Sequence, residues 1–182
     1  PVLECAERLH VPLYVHPSMP PQSVRNAYYD GLPGYASFAL SIAGWGWHAE
    51  TAVHILRLAL SGALDRHPRL KLLIGHMGEG LPAMMERVER VFAGYSKEHL
   101  GRNAARAIVD QVWVSTSGFT GLPAFLATLM TFGIDRILFS VDYPFGNNRA
   151  AAEFLAKLPL SPGDLLKVAH TNADGLLGLD AS

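Results

Sequence analysis

Two histidines, a glutamate and an aspartate in this sequence each come directly after a short apolar run. His16 closes LYVHP, His76 and Glu79 follow the run in LLIGHMGEG, and Asp142 follows the run in ILFSVDYPF. Imidazole and carboxylate are the usual ligands of Zn²⁺ or Mn²⁺ at sites that keep an open catalytic position. A histidine that binds no metal can move a proton near neutral pH, and a nearby carboxylate can fix its tautomer. The residue types therefore predict a metal centre or an acid–base site.

Taken singly, each of these residues also has a structural interpretation. His16 could pack against or cap its neighbours, Asp142 precedes Tyr-Pro and could organise a turn, and Glu79 could interact with the dipole of a following helix. The polar residues 115–117 end another apolar run and are assigned no role. It is the joint occurrence of the four side chains at successive run ends that favours a functional site.

The apolar runs read as buried parallel strands, because they are continuous rather than alternating and are rich in β-branched residues and leucine. Between and after them the spacing of apolar residues predicts helices. The predicted strands are 11–15, 70–74, 112–114 and 137–141, and the predicted helices are 2–9, 48–63, 81–92, 123–132, 150–158 and 162–169, the last one capped by Ser161.

This order of elements predicts an α/β fold with a parallel sheet. Four strand–helix units can form a small open sheet or half of an eight-stranded barrel, and a whole barrel typically needs about 250 residues. The sequence has 182 residues and begins without Met inside a helical pattern, so we interpret residues 1–182 as a single partial domain. The fold we expect is the C-terminal half of a (β/α)8 barrel, with the four polar residues at its mouth.

Segment 17–47, after the first strand, is predicted to be a long loop. It could form a pocket for a planar substrate or a subunit contact, since aromatic residues favour both. Its aromatic residues include Tyr28, Tyr29, Tyr35, Trp45 and Trp47. His48 and His54 lie on the helix that follows, and we interpret them as helix-packing or oligomer contacts.

Composition restricts the possible partners. Hydrophobic residues make up 49% and charged residues 17%, and the net charge is −1, so bulk electrostatics attract neither nucleic acid nor an anionic membrane. No apolar run is long enough for a membrane helix. The single cysteine, Cys5, excludes an internal disulfide and makes a thiolate zinc site improbable, and we expect a cytoplasmic protein.

Four stretches, LYVHP, GWGWHAETAVHILRLALSGALDRHPRLKLLIGHMGEGLP, ILFSVDYPF and NADGLLGL, resemble the amidohydrolase-related metal-dependent decarboxylases. This family includes γ-resorcylate decarboxylase and aminocarboxymuconate-semialdehyde decarboxylase. The resemblance implies one divalent metal ion, Zn²⁺ or Mn²⁺, at a barrel mouth. It implies that His16 and Asp142 are metal ligands, and that His76, Glu79 and Asp142 are catalytic.

The activity that the resemblance implies is non-oxidative decarboxylation of an aromatic or unsaturated carboxylic acid, by a homo-oligomer when the protein is full length. Two alternatives stay open. A metal-bound water could hydrolyse a lactone or an amide at the same site. The chain could also be an inactive half-barrel, because the family's first-strand metal motif, E-x-H or H-x-H, does not occur in these residues. The substrate-binding residues remain unknown at this stage.

Overall fold

In the computed structural model, which describes residues 1–179, the chain forms a parallel sheet flanked by helices. The described residues contain four strands in the order β1-β2-β3-β4. They are β1 (Leu13–Val15), β2 (Leu72–Ile74), β3 (Val112–Ser115) and β4 (Ile137–Leu138). Val15 pairs with Ile74, Ile74 with Val114 and Val114 with Ile137, so all four strands end at the same edge. The predicted α/β half-barrel is confirmed.

The helices connect successive strands and close the chain. They are α1 (Val2–Leu9), α2 (Gln22–Tyr28), α3 (Ala36–Ser41), α4 (Gly46–Leu60), α5 (Ala63–Arg66), α6 (Met85–Val91), α7 (Ala93–His99), α8 (Ala104–Gln111), α9 (Leu122–Phe132), α10 (Asn148–Ala156), α11 (Pro162–Leu166) and α12 (Asn172–Leu177). Short 3₁₀ turns lie at His76–Gly78, Pro82–Met84 and Ile134–Arg136, and a π-helical turn lies at Lys167–Thr171. Ser161 caps α11, as predicted, and accepts a hydrogen bond from the backbone N–H of Asp164 at 3.1 Å.

Several predicted boundaries are wrong. Segment 17–47 is not a plain loop, because it contains α2 and α3. Predicted helix 48–63 is divided by Gly62, whose φ of 72° ends the α-helical path before α5. Predicted helix 81–92 begins as a 3₁₀ turn, and α7 and α8 follow it unpredicted; Asn103 caps α8 by accepting from the N–H of Ala105 at 2.9 Å.

β4 is shorter than the predicted strand 137–141 because its backbone leaves the ladder after Leu138. The N–H of Phe139 donates to the carbonyl of Val168 at 2.8 Å, and the N–H of Ser140 donates to the hydroxyl of Thr116 at 3.0 Å. The chain is thereby redirected just before Asp142, which lies beyond the end of the ladder.

Two groups of apolar side chains hold the sheet against the helices. The first joins β1, β2 and β3 to α4 and α8, and includes Ile55, Leu64, Leu72, Ile74, Ile108, Val112 and Val114. The second joins the turn after β2 to α9 and the chain end, and includes Met77, Phe125, Ile137, Leu158 and Val168. The opposite face of the sheet is less buried than predicted: Tyr14 is exposed, and Leu73 and Trp113 are half-buried. Among residues 1–179, no helix combines the length and apolar character that crossing a membrane requires.

Candidate metal and acid–base site

Three of the four predicted site residues converge at the carboxyl ends of the strands. His16 follows β1, His76 follows β2 and Asp142 follows β4, and one ligand atom from each lies within 4.8 Å of the others. The rings of His16 and His76 are 6.0 Å apart, centroid to centroid. Nε2 of His76 is 3.8 Å from Oδ2 of Asp142. We call these three side chains the mouth triad.

The hydrogen bond made by His16 fixes which of its nitrogens is available. Nδ1 lies 2.8 Å from the carbonyl oxygen of Pro17, and a carbonyl oxygen can only accept, so Nδ1 carries the hydrogen. In the neutral ring, Nε2 then keeps its lone pair. A metal ion needs a histidine nitrogen in that form, and a backbone acceptor behind the ring is the usual way to fix it.

The turn after β2 has an unusual backbone. Residues 76–80 all have positive φ: 51° at His76, 54° at Met77, 86° at Gly78, 57° at Glu79 and 77° at Gly80. The two glycines adopt this conformation freely, but each of the other three residues costs about 1–2 kcal/mol. Such a conformation persists only where the surroundings impose it, and such sites are often functional.

Packing and hydrogen bonds hold this left-handed turn in place. The Met77 side chain is buried among the second group of apolar residues. Its carbonyl accepts a hydrogen bond at 2.9 Å from the hydroxyl of Thr128 on α9. The N–H of Gly78 donates to the carbonyl of Gly75 at 2.8 Å, and the N–H of Leu81 donates to the carbonyl of Gly78 at 2.9 Å. The turn therefore presents His76 and Glu79 in one fixed arrangement.

Glu79 lies behind His76, with its side chain fully buried. Its Oε1 is 2.7 Å from Nδ1 of His76, and its Oε2 is 2.5 Å from Nδ1 of His48 on α4. A carboxylate accepts from both nitrogens, so Nε2 of His76 is the nitrogen that faces the mouth triad. We call His48, His76 and Glu79 the inner triad.

The position of His48 corrects the interpretation of this residue as a packing or oligomer contact. Its ring is 5.1 Å from that of His76 and 5.6 Å from that of Phe119, centroid to centroid. His54, six residues along α4, is exposed. The sequence separation of 31 residues between His48 and Glu79 hid the contact. One feature of the sequence could have indicated a role for His48. The residue lies in the first turns of α4, the helix that follows the long segment after β1.

Contacts within the inner triad shift two pKa values. Burial acts to raise the pKa of the Glu79 carboxyl, but hydrogen bonds from His48 and His76 and their charges outweigh it, so this pKa lies below its usual 4.5. The hydrogen bond to Glu79 raises the pKa of His48 above its usual 6.5, although burial opposes the shift. Both shifts favour a Glu79 carboxylate paired with a His48 imidazolium.

Asp142 lies in a tight space at the end of β4. It has a φ of 71°, and its carbonyl accepts from the N–H of Gly146 at 2.6 Å. A Cβ atom at Gly118 would lie 3.1 Å from Oδ2 of Asp142 and 3.6 Å from Cδ2 of His76. A residue without a side chain at 118 thus leaves room for the mouth triad.

Residues 115–117, which were given no role, link the ends of β3 and β4. The hydroxyl oxygens of Ser115 and Ser117 are 2.8 Å apart, and those of Ser117 and Ser140 are 2.5 Å apart. The Thr116 hydroxyl donates to the carbonyl of Ser140 at 2.8 Å. These bonds fix the segment that leads to Asp142.

A cavity of about 690 Å³ borders the inner triad and is lined mainly by apolar side chains, including Trp45, Leu56 and Phe119. His16 and Asp142 are not among the described residues that line it. Of the aromatic residues in segment 17–47, Trp45 reaches the cavity, whereas Tyr28 and Tyr35 are exposed side chains. Both expectations for this segment, a pocket wall and a subunit contact, therefore stay open.

Comparison with known proteins shows what the chain resembles. It is 40% identical over 179 residues to the γ-resorcylate decarboxylase of Rhizobium radiobacter, a match that covers 96% of this chain and 52% of that protein. A putative amidohydrolase from Staphylococcus aureus has a similar structure, with a TM-score of 0.92 and 34% identity over 98% of this chain and 58% of the other. A dihydroxybenzoic acid decarboxylase from Polaromonas, solved with bound manganese and the inhibitor 2-nitroresorcinol, gives a TM-score of 0.87 and 34% identity over 98% and 53% of the two chains.

The chain spans about half the length of the curated relatives it matches, 52–54%. The sequence model of the Amidohydrolase family matches residues 1–179, which is nearly the whole chain. Together with the parallel sheet and the polar side chains at its strand ends, this match shows that the chain belongs to the amidohydrolase family.

Proposed function

We propose that the native protein catalyses metal-dependent, non-oxidative decarboxylation of an aromatic carboxylic acid. The observation that carries the proposal is the mouth triad, in which two imidazoles and a carboxylate meet at the ends of three strands. The relatives support the choice of reaction, because two matched proteins are a γ-resorcylate decarboxylase and a dihydroxybenzoic acid decarboxylase. The same proposal, in a broader form, includes unsaturated acids that are not aromatic as substrates.

The donor atoms of the mouth triad fit a divalent metal ion. We assign His16 and Asp142 as its ligands, because an imidazole nitrogen with a free lone pair and a carboxylate oxygen suit both Mn²⁺ and Zn²⁺. The bound manganese of the Polaromonas relative favours Mn²⁺. When bound, the ion would act as a Lewis acid for the negative charge of the substrate carboxylate and of an adjacent hydroxyl group.

The inner triad prepares a proton for the reaction. Loss of CO₂ breaks the bond between the ring carbon and the carboxylate carbon, and the electron pair of that bond is taken up by a proton at the ring carbon. The proton comes from Nε2 of His76 when both nitrogens of that ring are protonated, or from Oδ2 of Asp142 when that carboxyl is protonated, and these two atoms are 3.8 Å apart. Glu79 accepts from Nδ1 of His76 and so keeps the other nitrogen directed at the substrate.

A hydrolytic reaction is the second candidate, because the same donor set could direct a water molecule at a lactone or an amide. The two reactions differ in product. Incubation of the metal-loaded native protein with hydroxylated benzoic acids should release CO₂, whereas lactones and amides should remain intact. Hydrolysis of a lactone without CO₂ release from any acid would replace our proposal with this candidate, and no reaction with any substrate would favour the inactive half-barrel.

The decisive variant is His76→Ala in the native protein. We expect CO₂ release to fall by about 10²–10⁴-fold, the usual loss when a positioned proton donor is removed. Metal content, measured by atomic emission, should stay near that of the parent protein because His16 and Asp142 remain. His99→Ala is the matched control, since His99 is exposed on α7. Unchanged turnover by His76→Ala would refute the role of this residue.

We also propose a cytoplasmic homo-oligomer. The single cysteine of the sequence suits a reducing compartment. Exposed apolar side chains are available for subunit contacts. Among them are Met130 and Phe145, with 87% and 90% of their surface accessible. Light scattering coupled to size-exclusion chromatography of the native protein measures its mass, and a monomer would refute this part of the proposal.

A further inference from the structure

His48 makes hydrogen bonds with both of its ring nitrogens, and both partners are acceptors. Nδ1 is 2.5 Å from Oε2 of Glu79, and Nε2 is 3.1 Å from the backbone carbonyl oxygen of Ala43. A carbonyl oxygen cannot donate, and hydrogen bonds from the two rings lower the pKa of the Glu79 carboxyl, so it is present as a carboxylate that accepts from both. A ring that donates from both nitrogens is an imidazolium.

We propose that His48 is a positioning residue, a positively charged partner that neutralises the buried Glu79 carboxylate and fixes its orientation toward His76. This inference rests on the proposed function, because it assigns His48 a part in the proton transfer that we ascribe to His76. It adds to that function a residue on α4 that acts through Glu79 on His76.

The burial of Glu79 explains why such a partner is needed. The Glu79 side chain has no accessible surface, and the side chain of His48 retains only 15%. An ionised carboxylate without a charged partner is strongly disfavoured in such a place. Once His76 has delivered the proton from Nε2, its neutral ring still donates one hydrogen bond to Glu79 but brings no positive charge. His48 brings the charge and occupies the second oxygen.

Geometry also assigns His48 a mechanical role. Its bond to Ala43 ties the residues just before α4 to the inner triad. Rotation of the Glu79 carboxylate would break the contact with His48 as well as that with His76. The two imidazoles therefore hold the carboxylate from both sides. As a result, the orientation of the hydrogen bond from Nδ1 of His76 to Glu79 is fixed.

The surroundings of the His48 ring contain few groups that could titrate with it. The ring donates to the Ala43 carbonyl, which lies just before α4. It contacts Glu79 and His76 from the turn after β2, and the Phe119 ring from the segment after β3. Among the described residues in contact with the ring, Glu79 carries the negative charge. The hydrogen bond that His48 donates to Glu79 is the main cause of the raised pKa of His48.

A second metal ion is the competing explanation, because one ligand atom each from His48, His76 and Glu79 lie within 4.8 Å of one another. The hydrogen-bonding arrangement disfavours it, since a metal ion would have to replace the protons on the two Nδ1 atoms that now face Glu79. Titration of the metal-free native protein with Zn²⁺ distinguishes the two. We expect the parent protein and His48→Asn to bind the same number of zinc ions. Loss of a zinc site in His48→Asn would overturn the inference.

The first test reads the charge of His48 directly. In the zinc-loaded native protein labelled with ¹⁵N, two-bond nitrogen–proton spectra report which ring nitrogens carry hydrogen, and His48→Asn identifies the signals. We expect both nitrogens of His48 to be protonated at about pH 6.5 and the ring to titrate above that value. A neutral His48 ring at that pH would overturn the inference, whether or not the protein decarboxylates anything.

The second test separates charge from hydrogen bonding. His48→Ala removes both, whereas His48→Asn places a neutral donor near the former Nδ1. We expect kcat of His48→Ala to fall about 10–100-fold with KM within about twofold, as for other residues that orient a catalytic group. His48→Asn should recover part of the loss. His54→Gln, on the exposed face of the same helix, should leave kcat unchanged.

The pH profile adds a signature that a purely structural role would lack. Removal of His48 takes away a hydrogen bond that lowers the pKa of Glu79, so the acidic limb of the kcat profile should move to higher pH in His48→Ala. If the parent protein is active and His48→Ala has the same kcat and pH profile as His54→Gln, the inference about His48 is overturned while the proposed function stands. A parent protein that releases no CO₂ would overturn the proposed function, and the spectra would still decide the charge of His48.

Discussion

The fully buried Glu79 carboxylate allows a quantitative test by the substitution Glu79→Gln. Glutamine has nearly the same size and shape but has one oxygen, so it can accept from His48 or from His76 but not from both. One hydrogen bond to a charged group is lost, and such bonds contribute about 1.5–3 kcal/mol each. Because no water reaches this side chain, solvent cannot replace the lost bond. We expect the free energy of unfolding to fall by about 2–3 kcal/mol near pH 5.5.

The pH dependence of this loss follows from the two pKa shifts. The pKa of Glu79 is lowered from 4.5 on folding, so its contribution is present above pH 4.5 and is lost as the pH falls through the lower folded value. The pKa of His48 is raised from 6.5, so its contribution is complete below pH 6.5 and is lost as the pH rises through the higher folded value. The difference between Glu79→Gln and the parent should therefore be largest between these two values and smaller on either side.

Urea unfolding of the metal-free native protein across this pH range measures the difference. Glu153→Gln is the matched control, because Glu153 forms an exposed pair with Arg149 on α10, with side chains 52% and 89% accessible. An exposed pair of this kind contributes about 0.3–0.5 kcal/mol. A Glu79→Gln effect no larger than that of the control, or one that does not change with pH, would refute the assignment of a buried ion pair.

Three further predictions concern the support of the site. Gly118→Ala should weaken Mn²⁺ binding, measured by calorimetry, because the new methyl group would lie 3.1 Å from Oδ2 of Asp142. Gly34→Ala is the control and should leave binding unchanged, because Gly34 also has a positive φ but a Cβ there would have no atom within 4 Å. Equal effects of the two variants would contradict this explanation. Thr128→Val should lower the free energy of unfolding by about 1–3 kcal/mol, because a buried backbone carbonyl in the turn after β2 loses its donor. Phe125→Ala should lower it by about 3–5 kcal/mol, since this ring is fully buried, and a loss below about 1 kcal/mol in urea unfolding would contradict the packing described here.

The sequence predicts the sheet well because buried parallel strands leave a strong local signal. The apolar runs that end at Val15, Ile74 and Val114 coincide with observed strands, and the parallel order follows from the helices between them. The proximity of His16, His76 and Asp142 could be predicted for the same reason, because parallel strands end at one edge of the sheet. Their roles as ligands or catalysts remain predictions.

The elements that were missed depend on contacts that have no local signal. His48 meets Glu79 because α4 packs against the strands through its apolar side chains. The helical spacing around His48 indicates one face of a helix but does not show which residues pack on that face. Helices α2 and α3 lie in a segment whose many glycines and prolines favoured a loop. Similarly, β4 ends at Leu138 because the N–H of Phe139 donates to the carbonyl of Val168, 29 residues away in the π-helical turn.

The left-handed turn after β2 limits which sequences this protein can adopt through evolution or in the laboratory. At positive φ, β-branched residues are the least tolerated, so valine, isoleucine and threonine are excluded at 76, 77 and 79 on backbone grounds alone. Glycine would ease the backbone at Met77 but would empty a buried place beside Phe125. A library of random codons over 76–80 should therefore return few functional clones, most of them close to the present five letters.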